Sequence, residues 1–165
     1  MDSTDRLGLP MISPGQAQKE LFHNEALQLL DALVAGAVEE PATDPPPVSP
    51  AIGECYIVGD APSGVWSGHA QAIASFSSGG WRFINPVEGI AVYVRSTQLT
   101  AVYNAGAWDY GTVRGALLSI DGTQVVGSQA AAIESPAGGS TVDSEARVAI
   151  SGILAVLRQH GLIAT

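Results

Sequence analysis

The sequence predicts an α+β chain that is mainly β, with a helix near each end. Three observations carry this expectation. No proline interrupts the amphipathic stretch from Gln16 to Glu40; five aromatic and β-branched runs follow within residues 51–111; and a second helical period occupies Asp143 to His160. The division that follows is a helical arm over 1–40, a proline-rich linker over 41–50 and a β domain over 51–127. An irregular connection over 128–142 and a C-terminal helix within 143–165 complete it.

A long N-terminal helix is signalled at Ser13-Pro14-Gly15, where Ser13 suits the cap and Pro14 the first helical turn. Phe22, Ala26, Leu29, Leu33 and Ala37 then recur at spacings of 4, 3, 4 and 4, and Leu27, Leu30 and Val34 widen the stripe. Residues 41–50 (PATDPPPVSP) hold five prolines, a composition that suits an extended polyproline spacer rather than a helix or central strand. Strands are expected at 54–58, 72–76, 81–85, 90–95 and 99–104, each bounded by Gly, Pro, Asn or Ser.

An internal repeat lies among these strands. Ala74, Phe76, Gly79, Trp81 and Phe83 correspond to Ala101, Tyr103, Gly106, Trp108 and Tyr110 at a constant offset of 27 residues. Each copy reads as a hairpin, so the β unit is expected to be small, antiparallel and built on a duplicated hairpin. Asp121-Gly122 marks a further hairpin between two short strands. In the last helix Asp143 is the expected cap and Gly161 the left-handed residue that ends it. Ala146, Ile150, Ile153, Leu157 and His160 form a seam at spacings of 4, 3, 4 and 3, about two heptads long.

Composition narrows the function. Seven Lys and Arg against 16 Asp and Glu give a net charge of −9, and no cluster of cations is available to neutralise phosphates. Nucleic acid and anionic lipid are therefore not expected as partners, and no apolar run is long enough for membrane insertion. The acidic opening MDSTDRLGLP lacks the apolar region of a secretory signal. Only Cys55 is present, which excludes a disulfide within the chain, and no Cys/His spacing suits zinc.

Catalytic fingerprints are missing as well. The histidines His23, His69 and His160 fall on three different expected elements, and neither a nucleophile elbow nor a phosphate-cradling glycine loop occurs. No enzyme activity, catalytic residue, metal or cofactor is expected. Trp66, Trp81 and Trp108 admit a sugar-stacking platform, but matched aromatics of a duplicated hairpin are better explained as its core. Trp66 stands outside the repeat and is the candidate sugar contact.

The stretch from Leu7 to Glu20, LGLPMISPGQAQKE, together with Asn24-Glu25-Ala26-Leu27 and Leu30-Asp31, resembles a family of uncharacterised domains in alphaproteobacterial phages, prophages and gene transfer agents. Gly53, Tyr56, Val58, Gly64, Trp66 and Gly68, followed by Trp81 and Trp108, match the later elements of that family, so the resemblance spans about residues 6–110. It implies a structural role as the base or adaptor of a head spike or tail fibre. Such a component is assembled in the bacterial cytoplasm into a virion-like particle. The implied partners are other copies of the chain, capsid or tail proteins and a docked fibre. Phe22, Leu29, Leu33, Ile150, Ile153 and Leu157 are the residues expected to meet them. The alternative reading is a carbohydrate-binding module that attaches the particle to capsule or surface polysaccharide.

Overall fold

A computed structural model of the chain describes residues 3–13, 15, 19–46 and 49–165. Among them the chain forms two α-helices and ten short strands, an α+β architecture that is mainly β. It divides into two compact units, Met1–Thr112 and Val113–Thr165.

In the first unit α1 (Lys19–Leu33) leads into two very short strands, β1 (Ala37–Val38) and β2 (Pro41–Ala42). The expected helix start at Ser13-Pro14-Gly15 and its first turn include Pro14 and Gln16–Gln18, which lie outside the described residues. Its end is earlier than the apolar period suggests. Ala35 takes a left-handed φ of +47°, and Ala37, the last member of the stripe, is already in β1. The reason is at the helix terminus. The Arg6 guanidinium donates to the carbonyls of Asp31 (2.5 Å), Ala32 (3.0 Å) and Ala35 (3.2 Å). A cation is thereby placed on carbonyls that the end of a helix leaves without partners.

Two meanders follow. β3 (Cys55–Val58), β4 (Ile73–Ser77) and β5 (Gly80–Ile84) are antiparallel neighbours; β6 (Ala91–Val94), β7 (Leu99–Asn104) and β8 (Ala107–Tyr110) form the second set. β1 joins β6 in parallel and β2 joins β3 in parallel, giving sheets ordered β1-β6-β7-β8 and β2-β3-β4-β5. One continuous segment therefore belongs to both sheets. Tyr93 and Arg95 donate to the carbonyls of Gly36 and Val38, while Ile57 and Gly59 donate to those of Glu40 and Ala42.

The proline-rich stretch is thus not a free spacer at its start. Backbone polar groups alternate in direction along a strand, and here the carbonyls of Glu40 and Ala42 make the contacts with β3. Pro41 between them is not asked for the N–H it lacks. Of the later prolines, Pro47 lies with Val48 outside the described residues. The helix, the Pro41–Ala42 strand and the two meanders all fall within one compact unit, and the division of the chain comes after Thr112 instead.

Sheet β2-β3-β4-β5 is covered on both faces, as the fully buried run of β3 records. Cys55, Ile57, Ile73 and Ile84 on one face pack with Val92, Val94, Ala101 and Trp108 of the other sheet, and with Val38 and Ala32. On the opposite face Tyr56, Val58, Ala72 and Ala74 pack against Trp66, which a short 3-10 turn (Gly64–Trp66) delivers, with Trp81 and Phe83 alongside. Two hairpins present equivalent pairs. Phe76 faces Trp81 across β4 and β5, and Tyr103 faces Trp108 across β7 and β8, with ring centroids 5.0 and 5.4 Å apart.

The second unit holds β9 (Leu118–Ile120), β10 (Thr123–Val126) and α2 (Ser144–Gln159). Asp121 (φ +49°) and Gly122 (φ +76°) form the two-residue turn of the β9–β10 hairpin, as their type I′ signature demands. The Asp143 carboxylate accepts from the Ala146 N–H at 2.9 Å and caps α2. At the other end Gly161 (φ +68°) donates to the Arg158 carbonyl, and Leu162 donates to that of Leu157. This is the two-bond glycine termination expected there. The connection before α2 is irregular but tied: Ala130 bridges Ile163, and Arg158 donates to the Ile133 carbonyl at 2.6 Å.

Asp31 is 3% exposed and accepts from the Thr4 hydroxyl (2.7 Å) and from the N–H groups of Arg6 (2.8 Å) and Leu7 (2.6 Å). Asp31→Ala leaves these donors without an acceptor and is expected to cost about 3–5 kcal/mol. Urea denaturation followed by tryptophan fluorescence checks this, because Trp66, Trp81 and Trp108 all report on the first unit.

Candidate functional site

Among the described residues the histidines and the cysteine do not converge. His23 is exposed and its Nδ1 lies 3.0 Å from the Lys19 carbonyl oxygen. His69 lies flat on Phe83, with ring centroids 3.7 Å apart, and His160 is the C-terminal cap of α2. Cys55 is buried in β3, its thiol 3.7 Å from the Gly53 carbonyl. Burial pushes that thiol's pKa up, away from the reactive thiolate. Among the described residues no group of three or more His, Cys, Asp or Glu side chains is arranged to hold a metal ion.

An open cleft of about 510 Å³ runs along β2, lined by Glu40, Pro41, Asp44 and Tyr56 among others. The Tyr56 hydroxyl donates to Glu54 at 2.9 Å, and burial together with that carboxylate raises its pKa. A phenol held protonated in this way offers no base to the cleft.

Trp66 is the expected sugar contact that the structure overturns. It is 0% exposed, with its ring 5.7 Å from Tyr56 and 5.1 Å from Trp81. The 3-10 turn folds the indole into the sheet, so Trp66 closes a core and presents no stacking face. Trp108 is also a core residue, its indole N–H bonded to the Gln71 carbonyl at 2.8 Å.

What the structure does present is a pair of helices with their polarity reversed. On α1, Phe22 is 80% exposed, and Leu21, Leu29 and Leu30 are exposed with it, as is Val34 just past its end. The side turned towards the chain carries Asn24 and Asp31. The Asn24 amide both accepts from the Ile12 N–H and donates to the Ile12 carbonyl, each at 3.0 Å. Asn24 and Asp31 together hold residues 4–12 as a strap along the helix. Most of the apolar stripe is free because these polar side chains, with Ala32 and Leu33, make the contacts of the inward face. Leu33 is the exception among the expected contacts: it packs on the core between the sheets and serves its own unit.

α2 repeats the arrangement. Arg147 donates to the carbonyls of Pro136 and Gly138, Arg158 holds Ile133, and Leu154 is buried beside them. Val148, Ile150, Ile153 and Val156 are exposed, and Leu157 is half-buried. Of the six expected contact residues, four (Phe22, Leu29, Ile150 and Ile153) therefore lie on open surface. Sequence reading missed the strap residues Arg6, Asn24, Asp31, Arg147 and Arg158. The available signal was a second period on α1: Asn24, Gln28 and Asp31 recur at spacings of 4 and 3, just as the apolar residues do.

Trp66→Ala is expected to cost about 3–5 kcal/mol by opening a cavity against Tyr56 and Trp81. Trp66→Phe should cost less, because the indole N–H makes no hydrogen bond among the described residues. Chemical denaturation of the two variants distinguishes these outcomes; an unchanged midpoint for Trp66→Ala would contradict the core assignment.

Among the described residues no helix is long and apolar enough to cross a membrane. No curated protein matches the chain. A family model described as "Protein of unknown function (DUF2793)" matches residues 23–109, from α1 through both meanders to β8. That match covers just over half of the 165 residues, and the chain therefore belongs to the DUF2793 family.

Proposed function

We propose that this chain is a structural component of a virion-like particle, assembled in the bacterial cytoplasm. It acts as the base or adaptor of a head spike or tail fibre, binding other copies of itself and docking a fibre onto capsid or tail. The observation that carries this reading is the outward apolar face of α1. A helix whose inward face is occupied by Asn24 and Asp31 has its Phe22 and Leu29 side chains available to another chain. The opening signature, with its resemblance to phage and gene-transfer-agent proteins, supports the same reading, since its Asn24 and Asp31 build the strap that turns the helix over.

No catalytic step belongs to this function. The two hairpins with matched Phe76–Trp81 and Tyr103–Trp108 pairs are, on this reading, a duplicated scaffold that holds α1 in place. The strongly acidic surface favours partners with basic contact regions.

The double variant Phe22→Asp/Leu29→Asp tests the reading. Both positions are exposed, so stability should stay within about 0.5 kcal/mol of the parent chain. Particles produced with the variant should lack both this protein and the fibre it docks, as read by electron microscopy and mass spectrometry of purified particles. Normal incorporation of the double variant would overturn the proposal.

A further inference from the structure

We infer that the second unit, Val113–Thr165, is the self-association module of the chain and that its exposed apolar surface is covered by the same unit of another copy. This rests on the adaptor reading only in taking the chain to be an oligomer; it assigns that oligomer to one surface and one occupant.

The first argument is size against burial. The unit has 53 residues, yet Leu154 and Ile163 are its only buried side chains among the described residues. Every residue of β9 and β10 is exposed. A lone two-stranded hairpin is marginal in water, and so is a unit of this size without a core. Leu118 and Val126 form a cross-strand pair on that hairpin, and Ile150 and Ile153 lie along the open side of α2. These side chains are the missing core.

The second argument identifies the occupant by charge. The first unit carries 12 acidic and 4 basic residues, whereas the second carries Asp121, Glu134, Asp143 and Glu145 against Arg114, Arg147 and Arg158. Identical surfaces of the first kind repel when they meet, and those of the second kind are close to neutral. A self-complementary contact requires the same patch on each copy, so near-neutrality is the property it needs.

Composition is the third. The second unit contains no Phe, Trp or Tyr; its large exposed apolar residues are Leu, Ile and Val. Transient contacts between different proteins favour aromatic anchors, while permanent interfaces between copies resemble a domain core cut in two. The surface of the second unit is of the latter composition.

The test uses the full chain. Sedimentation at micromolar concentration is expected to give a multiple of 16.9 kDa for the parent protein and 16.9 kDa for Ile153→Asp, with the tryptophan-monitored denaturation of the first unit unchanged. A gentler probe guards against misfolding of that variant. Ile153→Cys should form a disulfide between copies on mild oxidation, because the native Cys55 is buried, whereas Phe22→Cys should not. A parent chain of 16.9 kDa, an undiminished mass for Ile153→Asp, or cross-linking at Phe22→Cys and not at Ile153→Cys would each overturn the inference. Particle incorporation of the α1 double variant reads the docking role separately, so docking through α1 and self-association through the second unit can fail independently.

Discussion

The first unit depends on one constraint: the backbone from Gly36 to Thr43 must satisfy two sheets at once. Its carbonyls accept from β6 on one side and from β3 on the other, and Val38 lies in the core between the sheets, 1% exposed. Everything upstream serves to aim that segment. Arg6 closes the helix at the right residue, Ala35 turns the chain, and Gly36 admits it closely. A Cβ on Gly36 would approach Val92 to 3.0 Å. Downstream, Gly59 plays the matching part, since a Cβ there would come within 2.9 Å of the Thr43 methyl.

The two helices share a second principle. Each is fastened to its own chain by polar groups, through a carboxylate and an amide on α1 and two guanidinium groups on α2. Hydrogen bonds of this kind are directional and fix position, whereas apolar burial is not and leaves rotation about the helix axis loosely set. Fastening by polar groups keeps the aliphatic faces unspent. In an isolated globular domain the arrangement would be reversed.

Most strands were legible from sequence, because alternating β-branched and aromatic residues bounded by turn signals have few other solutions. The caps of α2 were legible for the same reason: Asp143 and Gly161 act locally. Three features were not. The end of α1 is set by Arg6, a residue more than twenty positions away, so no local signal marks it. Pro41 reads as a spacer because pairing with β3 is non-local. Trp66 reads as an exposed aromatic because a turn of three residues, whose direction no pattern records, folds it inward. Apolar periodicity marked the stripe from Phe22 to Leu33 but ran past the end of α1 to Ala37, and said nothing about which side of the helix the chain itself would occupy.

The strap on α1 also bears on the order in which the protein is built. Thr4, Arg6 and Leu7 meet Asp31 across fewer than thirty residues of chain, so the loop to be closed is short. β1, by contrast, finds its partner only when Tyr93 and Val94 of β6 have been made. Strap and helix can therefore close on the nascent chain while the segment destined for both sheets is still unpaired. The aliphatic side of α1 is then displayed during synthesis, before any sheet exists. A partner of the kind proposed above would find that surface from this moment, and not only in the finished molecule.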